Sequence, residues 1–529
     1  MSFFSQWLGV FQEKFTIFSD KVSVDAQEGI ESIGGGVQGV SSLTAYLEGV
    51  FEYLEPFLYI FGLSISIGIT ALGFFQNLIY LFQLILVYFV QQSRPPLKED
   101  IGMERLMTTD SSLPISILIP AYNEEATVVE SIQSLLSLRL RNFEIIVLND
   151  GSTDATLQVI LDAFKLARIS RHYQPGLKHT AIRGIYGSSQ TPNLFLVDKE
   201  NGGKSDSLNA GINLSRFPLF CVIDADSLLE PDALLRGVLP FNQMPDLVAL
   251  GGMVRIANGC TVKEGKVQTV ALSRKLLVLL QTVEYLRVFV AARLAWSYIG
   301  AISVLSGAFS IFRRDVVKEI GGYSHGTVGE DMEIIMKIHH LMYREQRPYQ
   351  ISYTPEPVCW TEVPEKIDDL GRQRTRWAQG AMEVFSNHLW MLFNPRYGRI
   401  GFLTMPTILI ADVLGPILEA MGYVLIPTFW FLDVLSLEFL IAYVILTFVF
   451  STFISIGSLI LEELKLKRFP GVQDLLILTG VAIIENFGYR QIATYWRVRG
   501  LWRFFMGKKE WGKVERRGFS KYRPSSTPS

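Results

Sequence analysis

Apolar and polar residues are segregated along this chain on two length scales. Near the ends the apolar runs are long. No charged residue occurs between Glu55 and Arg94, a run of 38 positions rich in Leu, Ile and Phe. A helix of that length would measure roughly 57 Å, against about 30 Å for the hydrocarbon core of a bilayer. The run predicts either one tilted span with an interfacial extension or a hairpin of two spans breaking near 73–77. A signal peptide is disfavoured, because the run starts late and lacks a basic leader. Arg94, Lys98 and Arg105 follow it and place its C-terminal side in the cytoplasm.

The C-terminal region shows the same long pattern with more interruptions. Residues 402–418 carry Asp412 and are expected to lie along the membrane surface. Residues 419–432 continue them as an apolar stretch too short to span alone. Residues 439–461 are uncharged throughout and form the cleanest span, ending before Lys465, Lys467 and Arg468. Residues 472–495 are apolar but contain Glu485, Tyr489 and Arg490, and both flanks are basic. A single crossing would violate the charge rule, so a bent, re-entrant or surface segment is expected. Glu485 and Arg490 must then pair, or face protein or water, as an ion pair or as a channel lining. In the first fifty residues 7–18 looks amphipathic and 34–36 reads as a break.

Between these ends the pattern shortens. From about 113 to 370, β-rich apolar runs alternate with helical patterns, the signature of an α/β sheet. The strand candidates are 115–120, 144–148, 194–197, 219–223 and 248–252. Carboxylates stand just past three of them: Glu124, Asp150 and the pair Asp224/Asp226. Ligands of open α/β sheets bind beyond the carboxyl ends of strands, so these groups are expected to converge. Composition agrees with this division. Apolar residues make up 49% and charged residues 19%, with a mean hydropathy of +0.27. Disorder is excluded. The 49 basic and 51 acidic residues nearly cancel, which gives no field for a nucleic-acid partner. Cys221, Cys260 and Cys359 are far apart, so a disulfide scaffold is not expected.

Several short motifs carry chemistry. Extended-chain alternation after the 219–223 strand would put Asp224 and Asp226 on one side, as two hard oxygen ligands for Mg²⁺ or Mn²⁺ on a diphosphate. In Gly202-Gly203-Lys204-Ser205-Asp206, before a short helix over 207–213, Lys204 can meet phosphate and Asp206 can accept from a base or ribose. A helix-capping glycine turn is the plainer alternative. Residues 306–310 look like a small-residue strand. Asp331, after Gly329-Glu330 at the start of a helix over 332–341, is either a cap or a general base. His339 and His340 read as packing or surface residues. On a helix, Gln373, Arg376 and Trp377 share one face, with an Arg fork for diphosphate and an indole for a sugar face. Arg372 and Arg374 lie off that face and suit a membrane surface. Residues 267–296 suggest a long interfacial helix.

In order, IPAYNEE (119–125), NDGSTD (149–154), GGKSDSLNAG (202–211), DAD (224–226), GED (329–331) and QRTRW (373–377) resemble the family 2 membrane glycosyltransferases. Those include the bacterial cellulose, hyaluronan, chitin and poly-N-acetylglucosamine synthases. The resemblance covers roughly 113–400, and Gly329 stands where many relatives have Thr. It implies a GT-A nucleotide-sugar domain, a central mixed sheet with flanking helices, plus transmembrane and interfacial helices at both ends. The implied division is 1–53 uncertain, 54–93 transmembrane, 94–112 linker, 113–398 cytoplasmic catalytic domain, 399–495 interfacial and transmembrane helices, and 496–529 basic tail. No PilZ-like domain is expected.

The roles implied by the resemblance follow the motifs. Tyr122, Glu124, Asp150 and Asp206 would hold uridine, with Lys204 at the phosphates. Asp224 and Asp226 would bind the diphosphate through Mg²⁺ or Mn²⁺. Glu330 and Asp331 would form the catalytic pair, with Asp331 deprotonating the acceptor. Gln373 and Arg376 would engage the diphosphate or acceptor, and Trp377 would lie beneath the acceptor sugar. The segment 360–364 would close over donor or acceptor. The expected reaction is inverting transfer from a UDP-sugar to a growing β-linked polysaccharide, with passage of the polymer through an integral, multi-pass membrane region. A lipid acceptor is the alternative, because QxxRW-type motifs also occur in lipid glycosyltransferases.

Overall fold

The computed structural model describes residues 38–93, 112–173, 175–263, 265–432, 434–465 and 471–507. The features expected in 7–18 and 34–36, most of the 94–112 linker and the tail beyond 507 lie outside them. The chain divides into two compact units, Met1–Gly73 with Met421–Ile445, and Phe74–Ala420 with Leu446–Ser529.

The second unit is organised by a ten-stranded mixed sheet of order β3-β4-β5-β2-β1-β6-β11-β8-β12-β7. Its centre consists of the parallel strands β5 (Leu194–Lys199), β2 (Phe143–Asp150), β1 (Ile115–Ala121) and β6 (Leu219–Val222). These are runs of Ile, Leu, Val and Phe without polar alternation, as strands covered on both faces require. All eight residues of β2 are buried. Because the four strands are parallel, their carboxyl ends emerge at one edge. Beyond β6 the sheet turns antiparallel through β11 (Ser310–Arg313) to β8 (Leu247–Ile256), and β12 (Gln350–Thr361) runs parallel to β8. Strands β3 (Ala167–Arg168), β4 (Ile182–Gly187) and β7 (Ser227–Leu229) complete the edges. A separate hairpin joins β9 (Thr261–Lys263) and β10 (Lys266–Thr269).

Helices α1 (Gln38–Ser93), α2 (Val128–Leu136), α3 (Thr156–Phe164), α4 (Lys204–Leu214) and α5 (Ala233–Gln243) precede α6 (Leu276–Leu286). In α2, Val128, Ile132 and Leu135 fall on one buried face at helical spacing. Helix α4 lies so close to the sheet that a side chain at Gly211 would meet Leu148 at 2.9 Å and Leu118 at 3.0 Å.

Several expectations need correction. Residues 306–309 are not strand, and β11 begins only at Ser310. The segment 267–296 opens with β10, and its helical part, with a π-helical turn over Arg287–Ala292, is not interfacial along its apolar face. Leu279, Val283, Leu286, Phe289 and Val290 pack into the main core. Helices α7 (Glu330–Arg344) and α8 (Ile367–Asn387) carry the GED and QRTRW motifs.

Three helices among the described residues are long and apolar enough to cross a membrane: Tyr59–Gln92, Ile400–Phe431 and Leu437–Glu463. Helix α1 is unbroken at 73–77, so the hairpin alternative is not what the chain adopts. Residues 400–431, expected as a surface segment followed by a short one, form a single helical run in which π-helical turns at Ile400–Thr404 and Ile408–Leu414 precede Pro406 and Pro416. The region 472–495 bends as expected: α9 (Val472–Ile484) stops, Gly488 takes φ 92°, and α10 (Tyr489–Phe505) restarts.

Within the first unit, Gly62 meets the Phe429 ring and Gly422 meets Tyr443 and Ile69, small residues that allow close helix packing. In the second, Gly457 receives Leu84 in the same way.

Candidate active site

Asn123, with φ 58°, ties the first two motifs together at the carboxyl edge of the sheet. Its side-chain carbonyl accepts from Thr153 N at 2.8 Å, and its own N–H donates to Ser152 Oγ at 3.1 Å. Tyr122 is left 44% exposed at the end of β1. Glu124 accepts from Thr127 Oγ1 at 3.0 Å, where α2 begins.

Asp150 and Asp206 converge on a lysine that the motifs do not include. Lys199 Nζ lies 2.6 Å from Asp150 Oδ1 and 2.7 Å from Asp206 Oδ1, with no exposed side-chain surface. Asp150 also accepts from Gly202 N at 3.0 Å and Gly203 N at 2.8 Å, so it holds the glycine turn in place. Only glycine suits that turn, since Gly203 has φ 87° and a side chain at Gly202 would strike the Asp206 carboxylate at 2.5 Å. Asp206 accepts further bonds from Thr180 N and Thr180 Oγ1. Burial alone would raise its pKa, but the bonds from Lys199 and Thr180 outweigh it and hold the carboxyl below its ordinary range. Lys199 escaped sequence reasoning because it sits at the end of β5, where the apolar run has stopped.

The fixed turn aims Lys204 from the first position of α4 into an acidic cleft. Its Nζ lies 2.7 Å from Asp224 Oδ1 and 3.5 Å from Glu330 Oε1. Burial opposes its charge, yet Asp224 and Glu330 raise its pKa above the ordinary value. Glu330 is pushed up, first by burial and then by the Asp331 charge, against the pull of Lys204 and Arg376. Asp331 stands in the first turn of α7, where a carboxylate faces the positive helix end. A side chain at Gly307 would lie 2.9 Å from Lys204 Nζ and 3.6 Å from Asp331 Oδ2, so this glycine lets the loop before β11 close the cleft. Arg293, which stacks on Phe289 at 4.1 Å, lies close enough to Asp331 for their charges to interact.

The DAD motif does not continue the strand. It turns, with Ser227 N donating to Asp224 O at 3.1 Å, and leads into β7. Asp224 and Asp226 therefore do not alternate along extended chain as expected. Asp224 reaches the cleft, whereas Asp226 is 2% exposed beneath it. The donor set still suits a hard divalent cation: two carboxylates, with further positions left to diphosphate and water. Among the described residues no cluster of three or more His, Cys, Asp or Glu is placed to hold a metal, so protein ligands alone would not complete the shell.

On α8, Trp377 is 44% exposed and Gln373 is half-buried. Arg374 is not at a membrane surface as expected. It is buried, 2.7 Å from Glu284 Oε2, donates to Gln373 Oε1 at 2.9 Å, and lies 4.2 Å from the Trp377 ring centroid. Tyr489 Oη donates to the same Glu284 at 2.9 Å. Arg372 is half-exposed and pairs with Asp369. Gly329 explains itself by contact: a side chain there would stand 2.9 Å from Gly380 O, where α7 begins against α8. Trp360 and Thr361 belong to β12, and Asn258 clasps Val363 through two bonds, so 360–364 is anchored here.

Residues 116–321 match the sequence model of the family described as Glycosyl transferase family 2, and 219–456 match Glycosyl transferase family group 2. Together the matches run over more than half of the chain. The protein belongs to the family 2 glycosyltransferases. This glycosyltransferase is 32% identical over 277 residues to a poly-β-1,6-N-acetyl-D-glucosamine synthase of Staphylococcus epidermidis, covering 52% of the chain and 56% of the relative. A synthase of the same name from Staphylococcus aureus is 29% identical over 313 residues, covering 59% and 64%. The chain thus spans little more than half the length of these curated relatives. Among solved structures, a mannosyltransferase from Pyrobaculum calidifontis in complex with GDP-Man and Mn²⁺ is similar over 84% of this chain and 99% of its own, with 16% identity and a TM-score of 0.48.

Proposed function

We propose that this glycosyltransferase moves a hexose or N-acetylhexosamine from a UDP-sugar onto a growing β-linked polysaccharide, with inversion, at the cytoplasmic face of a multi-pass membrane region. The observation that carries the reading is the meeting of Lys204, Asp224 and Glu330 beside Asp331, behind Gly307. A diphosphate entering this cleft exchanges the Asp224 contact of Lys204 for phosphate oxygens. Asp224 and Asp226 would hold Mg²⁺ or Mn²⁺, which supplies charge neutralisation for the leaving diphosphate when bound. Asp331 takes the proton of the acceptor hydroxyl, and Arg376 lies near enough to Glu330 to add positive charge on the diphosphate side. Trp377 offers an exposed ring to the acceptor sugar. The names of the two staphylococcal relatives support a polymer of N-acetylglucosamine as the product class.

The test uses the full chain in detergent with a panel of radiolabelled UDP-sugars and Mg²⁺ or Mn²⁺. A high-mass product on a gel is expected from one donor. Low-mass lipid product alone overturns the polymer reading, and no UDP release from any donor overturns the donor assignment. D331N should lower turnover by about 10²–10⁴-fold while leaving UDP affinity unchanged. Normal turnover in D331N removes Asp331 as the base.

A further inference from the structure

Apart from the donor cleft, the second unit carries an open cavity of about 880 Å³ lined by none of the cleft carboxylates. Arg347, Arg396 and Arg399 line it, together with Tyr298, Tyr343 and Tyr349. Asp246 is the only acidic residue among its lining. The three cations are not equivalent. Arg347 is neutralised by Glu319 at 2.7 Å. Arg399 gives one N–H to Ile299 O at 2.9 Å, a contact that leaves its charge uncancelled and its other donors available. Among the described residues no carboxylate lies within ion-pair distance of Arg396, and it is exposed. The excess positive charge is felt locally: burial pushes His339 down to about 4, and Arg399 acts in the same direction.

The surroundings narrow the chemistry. Guanidinium groups with adjacent phenol hydroxyls, against the single carboxylate of Asp246, give a lining rich in donors and net positive, which suits a phosphate oxygen set. Arg399 immediately precedes Ile400, the first residue of an apolar helix able to cross a membrane, so the cavity adjoins the level at which that helix would leave the headgroup layer. We propose that this cavity binds an anionic phosphate ester, clamped by Arg396 and Arg399 with the Tyr298 and Tyr343 hydroxyls as further donors. A phospholipid headgroup and a soluble phosphate ester share this chemistry.

The experiment follows thermal unfolding of the full chain in detergent with three probes: dihexanoyl phosphatidylglycerol, glycerol phosphate, and dihexanoylglycerol, which lacks the phosphate. The wild type should be stabilised in a saturable manner by at least one phosphate probe and not by dihexanoylglycerol. R396A/R399A should bind that probe about tenfold more weakly or worse, as expected for lost charge-assisted bonds. R499A, an exposed arginine of α10 outside the cavity, should bind as wild type does. A response to the lipid alone assigns the site to a headgroup, and a response to glycerol phosphate assigns it to a soluble ester. Equal binding by wild type and R396A/R399A, or no binding of either phosphate probe, overturns the proposal. If loss of the Arg399–Ile299 bond destabilises the double variant, the exposed R396A alone carries the comparison.

Discussion

Lys199 shows what a single buried charge does for the site. An ammonium without solvent contact is tolerated only when paired, and here it is shared by Asp150 and Asp206, from two different motifs. The pairing fixes Asp150 under the glycine turn and so sets where Lys204 points. K199M should therefore cost about 3–5 kcal/mol, because two buried carboxylates lose their cation. The sign of the pH dependence follows from Asp206, whose carboxyl is held below its ordinary value of 3.8. Its stabilising contribution is complete above that value and is lost as pH falls through the depressed one. Without Lys199 the carboxyl rises, so the stability gap between wild type and K199M should be widest near neutrality and shrink as pH falls from that raised value through the depressed one of the wild type. Urea midpoints across this range check it, and a gap independent of pH would mean that Lys199 acts by packing alone. The motif carboxylates were legible in the sequence because strand ends and glycine turns are local signals. Lys199 was not, because its partners lie 49 and 7 positions away in sequence, and nothing local distinguishes a shared buried lysine from a solvated one.

At the scale of elements, the five expected strands are all present, since each is a continuous run of apolar residues long enough to cross the core. Strands β3, β7, β9 and β10 were missed because each has only two to four residues, β4 and β12 because glycines or prolines and polar residues interrupt their apolar runs, and the strand expected at 306–310 lies later, as β11. Helix α8 illustrates a subtler loss. Its spacing put Gln373, Arg376 and Trp377 on one face correctly, but Arg374 also lies three residues before Trp377 and packs against it. Arg374 is thus a positioning residue: Glu284 and Tyr489 hold it, and it holds Gln373 and the indole. R374M keeps the bulk and removes the fork. It should reduce turnover by about 10–100-fold through misplacement of Trp377, with UDP affinity unchanged. R374K should recover only part, because one ammonium cannot serve the carboxylate, the amide and the ring face together. Turnover against UDP affinity, read beside tryptophan fluorescence, separates this from general unfolding. Equal loss of UDP binding would place the defect elsewhere.

At the scale of the molecule, apolarity announced the helices long enough to cross a membrane but could not say what sets their register on the rest of the second unit. Apolar packing is non-directional, so polar contacts must supply the register. Within the second unit they are present: Glu485 accepts from Arg287 at 2.7 Å and from Ser455 at 2.6 Å, which joins the π-helical turn after α6 to the end of α9 and to the span Leu437–Glu463. Arg490 pairs with Glu419 at 2.5 Å, and Thr494 donates to the same carboxylate at 2.9 Å. Glu485 and Arg490, the two charges within 472–495 that the sequence left open, are therefore each satisfied by protein groups. If Arg287–Glu485 sets the register, breaking it from one side should be worse than removing it. R287M leaves Glu485 buried with Ser455 and should cost about 3 kcal/mol, near the lower end for a buried pair because Arg287 is partly exposed. R287M/E485M replaces both charges by apolar bulk and should regain most of the thermal stability in detergent, since the desolvation cost goes with them. The same double variant should regain less turnover than stability, because methionines restore packing without the directional bond. Full recovery of turnover would show that apolar contact alone orients these helices.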